Sequence, residues 1–268
     1  MHPRYDGHMS HSPSDEPKII AHRGLCNQAP ENTLAAFELA HQAGVTWLET
    51  DVDLLADGTP ILLHDATLDR TTNTSGPVAA LTPDALPNVD AGSWFGSAFA
   101  GEPLPTLAAL IDFLNHTGMN CNVELKSNRD SDARPETLIA STLAELARLN
   151  PASQILLSSF DLALLAQFHE AAPEYTIATL FKPRALTKDW PDRAHACGAT
   201  YIHPKDHLRL PALLQIAHAE GFRTNVWTVN KKARARELLN LGVEGVITNN
   251  AAQFLPLLAA NTRPPAPR

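Results

Sequence analysis

Apolar positions in this chain fall into short, nearly continuous runs, and most runs are followed by a longer segment that is apolar on one face. Short β-branched and apolar runs suit strands buried on both sides. Apolar residues three and four apart suit helices packed along one stripe. Lys18 to Ala21 is the first strand expected, followed by the loop His22 to Pro30. LAAFELAHQAG then predicts a helix with Asn32 or Thr33 as N-cap and Gly44 closing it. Residues 46–55 are the next strand. Asp57-Gly58 is a hairpin signal, and Thr59 to Leu63 reads as the return strand.

From residue 107 onward the alternation is regular. Strands are expected over 120–126, 154–159, 175–181, 200–203, 222–229 and 243–248. Helices are expected over 107–117, 135–149, 161–171, 189–196, 211–220, 231–241 and 251–260. The result is eight β units in about 250 residues, the pattern of a closed (β/α)8 TIM barrel. An open doubly wound sheet would be favoured by a glycine-rich phosphate loop after the first strand. His22-Arg23-Gly24 is not such a loop, and no Walker motif occurs.

Periodicity fails between residues 65 and 105, where Thr, Pro, Gly, Asn and Asp dominate. This reads as a small insertion after the second strand. Irregular stretches this long inside a domain are usually functional, so it is expected to wall the active site. Residues 1–16 are polar and read as a disordered leader, 17–260 as a single domain, and 261–268 as a frayed tail. The leader holds no apolar core of a signal peptide, and no apolar run approaches the roughly 18 residues of a membrane helix. A cytoplasmic location is therefore expected.

Composition narrows the function. The 268 residues carry a formal net charge of -8, with 44 % hydrophobic and 19 % charged residues. That is an ordinary globular balance without the basic clusters of a nucleic-acid binder. The cysteines, Cys26, Cys121 and Cys197, are odd in number and far apart, which argues against a disulfide framework.

The candidate chemistry lies at the carboxyl ends of the early strands, where barrel enzymes place it. Glu49 and Asp51 are two apart on one strand and so share a face. Two carboxylates so close among apolar side chains call for a cation. Glu124, on a neighbouring strand, is a third acid, and three hard oxygen donors select Mg2+ or Ca2+. His22 and His64 suit a general acid/base pair. Arg23 suits a phosphate oxygen pair, and Lys126 could pair with Glu124 or hold a phosphate oxygen. Trp227 stands at a later strand end as a substrate contact, and His203 reads as a structural or rim residue.

HRG at 22–24, ENT at 31–33, ExD at 49–51, HDATLDRTTN at 64–73 and ExK at 124–126 together resemble the glycerophosphodiester phosphodiesterase family. VWTVN at 226–230 and GVIT at 245–248 are similar to its final strands. The resemblance implies a TIM barrel with an insertion after the second strand, and a divalent cation on Glu49, Asp51 and Glu124. It implies His22 and His64 as the acid/base pair, with Arg23 and Lys126 on the phosphodiester. The implied reaction is hydrolysis of a glycerophosphodiester to sn-glycerol 3-phosphate and an alcohol, through attack of a glycerol hydroxyl and a cyclic phosphate that water opens. Asn249 stands where that family usually has Asp. Two alternatives are a lipid-directed barrel phosphodiesterase, of phospholipase C or sphingomyelinase D type, and a non-catalytic metal- and phosphate-binding barrel.

Overall fold

A computed structural model describes residues 17–127 and 135–259. The expected leader, the tail and residue 260 lie outside the described residues. The elements in chain order are β1 (Lys18–His22), α1 (Leu34–Gln42), β2 (Trp47–Leu54), β3 (Pro60–Leu62), α2 (Leu107–Thr117), β4 (Asn120–Leu125), α3 (Pro135–Leu146), β5 (Ile155–Ser159), α4 (Leu162–Ala171) and β6 (Thr176–Phe181). They continue with α5 (Trp190–Ala196), β7 (Ala199–Pro204), α6 (Leu210–Ala219), β8 (Arg223–Val226), α7 (Lys232–Leu241), β9 (Gly245–Thr248), α8 (Ala251–Phe254) and α9 (Pro256–Ala259). The expected final helix is two short ones, because Pro256 has no N–H to continue the first. The expected 222–229 strand ends at Val226, although Trp227 N still donates to Pro204 O at 3.3 Å.

Eight parallel strands close into a barrel. β1 pairs with β9 on one side and with β2 on the other, which joins the two ends of the sheet. β3 is an addition, antiparallel to β2 through Val52↔Leu62 and Leu54↔Pro60. β2 therefore has β1 beside its first half and β3 beside its second. The barrel interior is floored by Ile20, Trp47, Leu156, Ala178, Tyr201 and Ile247. Since side chains alternate, the residues two further along β1, β2 and β5 (His22, Glu49 and Ser158) form the next layer up. The main apolar core lies outside the strands, against the helices.

The ends of the helices follow local chemistry. Thr33, Thr106 and Asp161 accept from backbone N–H groups in the first turns of α1, α2 and α4. Among the described residues, no helix is long and apolar enough to cross a membrane.

The 65–105 excursion is irregular as expected, with 3-10 turns at Val78–Ala80, Pro83–Asn88 and Ser97–Phe99. It has a small core of its own. Leu68, Val78, Leu81, Val89, Ala91 and Leu104 pack with Leu55, Ile61 and Leu63 of the β2–β3 hairpin. The Asp90 carboxylate ties the far loop by accepting from the N–H groups of Gly92, Ser93 and Gly101.

Candidate active site

The polar layer of the barrel opens into a cavity of about 300 Å³ at the carboxyl ends of the strands. Parallel register sets its contents: His22 lies opposite Glu49, and Asp51 opposite Glu124. His64 arrives from the hairpin, where Leu63 N donates to Asp51 O at 3.1 Å. The structure thus brings His22, Arg23, Glu49, Asp51, His64, Glu124 and Lys126 together.

The carboxylates of Glu49, Asp51 and Glu124 are all buried, and each has an oxygen within 4.8 Å of the others. Burial, then the negative charges of Asp51 and Glu124, push Glu49 well above the usual carboxylate range. Burial and Asp51 push Glu124 up to about 7. Burial would raise Asp51 too, but the Lys126 ammonium and Arg23 guanidinium outweigh it and hold its carboxyl below the usual range. Lys126 Nζ donates to Asp51 Oδ1 at 3.1 Å and to Glu124 Oε1 at 2.7 Å. Arg23 and Lys126 do not relieve all three acids, since two stay raised. The donor set therefore fits a divalent cation on oxygen ligands.

A loop with two left-handed residues builds the other side. Arg23 has φ 54° and Gly24 φ 79°. This turn aims Arg23 N at Glu49 Oε2, 3.0 Å away. A Cβ on Gly24 would lie 2.7 Å from Ala36 Cβ and 2.8 Å from its carbonyl carbon, so α1 can approach only a glycine here. Thr33 takes the cap of α1, which leaves Asn32 (φ 57°) free to turn inward. Its amide donates to Asp51 Oδ2 at 3.0 Å, and its carbonyl accepts from Thr50 Oγ1 at 2.8 Å.

The two histidines have different partners. His22 Nδ1 lies 2.7 Å from Asn249 Oδ1, and its Nε2 lies 3.9 Å from Glu49. Burial and the nearby Arg23 charge lower His22 to about 4, so its imidazole is neutral. His64 Nδ1 lies 2.6 Å from the Asp65 carboxylate. Burial lowers His64 as well. Arg70 Nε donates to the other Asp65 oxygen, and its two terminal nitrogens donate to Glu31 at 2.9 and 2.8 Å. Glu31 in turn accepts from Arg23 at 2.9 Å. A chain of charge-assisted bonds therefore runs from His64 through Asp65, Arg70 and Glu31 to Arg23. Asp65 and Arg70 belong to the HDATLDRTTN run, but their orienting geometry had no signal in spacing alone.

The far wall of the cavity is made of Phe160, Leu180, Lys182, Trp227, Thr228 and Ile247. Trp227 is held by its indole N–H donating to His203 O at 2.6 Å. His203 itself is fully buried inside the barrel and burial lowers it to about 3, so it is a structural residue. Cys26 is pushed up to about 12 by burial and Glu31, which keeps it a thiol. The excursion does not wall the cavity as expected. Among the described residues none from 65–105 lines it, because the excursion spends its apolar side chains on the hairpin. Its connection to the site is Asp65 and Arg70.

Residues 22–253 match the Glycerophosphoryl diester phosphodiesterase family. A glycerophosphodiester phosphodiesterase of Caldanaerobacter subterraneus subsp. tengcongensis is 32 % identical over 240 residues, covering 90 % of this chain and 97 % of that protein. A glycerophosphodiester phosphodiesterase of Bacillus subtilis is 30 % identical, covering 86 % and 82 % respectively. A solved Oleispira antarctica phosphodiesterase, in complex with the product sn-glycerol-3-phosphate, superposes with a TM-score of 0.84 at 30 % identity, covering 91 % of this chain and 97 % of that one.

Proposed function

The chain belongs to the glycerophosphoryl diester phosphodiesterase family and is a phosphoric diester hydrolase; from that premise we propose that it converts glycerophosphodiesters to sn-glycerol 3-phosphate and an alcohol, with a divalent cation and with His22 and His64 as its acid/base pair. The observation that carries this reading is the meeting of three buried carboxylates and two differently partnered histidines in one cavity. The product bound by the Oleispira antarctica phosphodiesterase supports the same substrate class.

Held by Glu49, Asp51 and Glu124, Mg2+ or Ca2+ would supply Lewis-acid stabilisation of the phosphoryl oxygens. Arg23 and Lys126 add positive charge beside them. His22 donates a hydrogen bond from its Nδ1–H to the Asn249 amide oxygen and presents an unprotonated Nε2. It takes the proton from the glycerol hydroxyl as that oxygen attacks phosphorus. Asp51 and Asp65 favour the His64 imidazolium against the lowering by burial, and in that protonated form His64 gives a proton to the departing alcohol oxygen. In the second step the roles reverse: His64 takes a proton from water, and His22 returns one to the glycerol oxygen as the cyclic phosphate opens. Trp227 closes the apolar side against the substrate.

The test is release of glycerol 3-phosphate with Mg2+, Ca2+ or Mn2+, before and after chelation. Activity should vanish with EDTA and return with the cation. His22→Ala and His64→Ala should each lose roughly 10²–10⁴-fold in kcat while the far-UV spectrum stays unchanged. Full activity in either variant would overturn the acid/base assignment, and activity that survives chelation would overturn the metal.

A further inference from the structure

Phe160 and Trp227 stand edge to face at the cavity mouth, with ring centroids 5.6 Å apart and planes at 83°. Each ring already has a cation on it. Lys182 Nζ sits 5.2 Å from the Phe160 centroid, and Lys205 Nζ sits 5.8 Å from the Trp227 centroid. Both lysines are exposed, and neither is ion-paired among the described residues. Asp206, the acid next to Lys205 in sequence, is bound by Arg234 at 2.7 Å. The acids that line the cavity, Glu49 and Glu124, belong to β2 and β4. Lys182 lines the cavity beside Phe160 and Lys205 stands over Trp227, so this exposed side is cationic and aromatic, while the buried carboxylates of Glu49 and Glu124 lie deeper.

This arrangement bears on the part of the substrate that varies. The glycerol hydroxyl has to reach phosphorus beside His22 and the carboxylates, so glycerol belongs at the floor. The leaving alcohol then faces the mouth. An aromatic pair with open faces would suit a quaternary ammonium group. Here the faces are taken by ammonium groups of the protein itself, and a cationic head group would meet two like charges. An anionic group would find two unpaired ammonium donors on rigid aromatic supports.

Resting on the hydrolase reading above, we propose that Lys182 and Lys205 select glycerophosphodiesters whose alcohol carries a second anionic group, and discriminate against choline-type alcohols.

The experiment compares kcat/KM for three diesters of glycerol phosphate, made with inositol 4-phosphate, inositol and choline. The wild-type enzyme should prefer the first over the second by roughly tenfold or more, with choline poorest. The preference should shrink as salt rises from about 20 to 500 mM, because both ammonium groups are solvent-facing. A Lys182→Ala/Lys205→Ala double variant should bring the ratio of the two inositol substrates close to one. Lys182→Glu/Lys205→Glu should invert the order of choline and inositol 4-phosphate. Equal turnover of all three substrates by the wild type, or an unchanged ratio in the folded double variants, would overturn this inference and leave the hydrolase reading standing. No turnover of any of the three would overturn both.

Discussion

Asn249 Oδ1 lies 2.7 Å from His22 Nδ1, so a neutral amide fixes the imidazole with its Nε2 free of a proton. A carboxylate at 249 would do something different, because it would stabilise the imidazolium. Asn249→Asp should raise the His22 pKa from about 4 by roughly one to three pH units. As the base, His22 works when neutral, so activity is lost as pH falls through its pKa. The acidic limb of the kcat/KM profile should therefore move to higher pH in the variant. An unshifted limb would show that His22 does not act as the base.

Cation binding should release protons. Glu124 sits at about 7 and Glu49 is raised well above the usual carboxylate range by burial and its acidic neighbours, so near neutral pH the site carries protons that a divalent cation must displace. The cation favours the ionised form, so affinity should rise with pH through about 7, by up to tenfold per pH unit for each proton displaced. Titration calorimetry in buffers of different ionisation enthalpy counts those protons directly. A count of zero would contradict the raised acids.

Asn32 holds Asp51 from behind, and its own backbone is left-handed. Asn32→Gly keeps that backbone accessible and removes only the amide. Loss of such an outer partner typically costs a metal site about 10–100-fold in affinity, and the same is expected here. Equal cation affinity in the variant would mean that Asp51 needs no orienting.

Gly24 is a stability position. Alanine there would carry φ 79° and press a Cβ against Ala36. Left-handed strain and overpacking together should cost about 2–5 kcal/mol. Thermal unfolding should show this as a clear drop in Tm, with loss of activity following from displacement of Arg23. A Tm within a degree of the parent would mean that α1 moves aside freely.

The legible parts of this protein are those in which a spacing has one geometric meaning. Glu49 and Asp51 could be paired from sequence because a strand turns a two-residue step into a shared face. Glu124 and Lys126 followed by the same logic. Eight alternations of buried strand and helix similarly left little choice but closure, and the strand register then fixed who faces whom. Other features depend on which of two neighbours takes a job. Asn32 and Thr33 were equal candidates for the cap of α1, and only the fold shows Thr33 taking it and Asn32 reaching Asp51. Phe160 and Lys182 lie just past β5 and β6, and their meeting with Trp227 and Lys205 depends on barrel curvature. The excursion misled for a related reason. Its apolar residues follow no helical or strand period, so a core built with Leu55, Ile61 and Leu63 could not be told from a loop laid over the cavity.

That separate core has a consequence for motion. Cooperative units in proteins open at their own free energies, and a small apolar cluster opens more readily than a barrel wall. The β3 return strand and the excursion form such a unit, with His64 at its junction, whereas His22, Glu49, Asp51 and Glu124 are seated in the barrel strands β1, β2 and β4. Native-state hydrogen exchange should then find faster subglobal opening around residues 65–105 than in β1 and β4. During such an event the proposed proton donor departs while the carboxylates of Glu49, Asp51 and Glu124 stay assembled, which makes catalytic competence a more fragile property than cation retention at the proposed site.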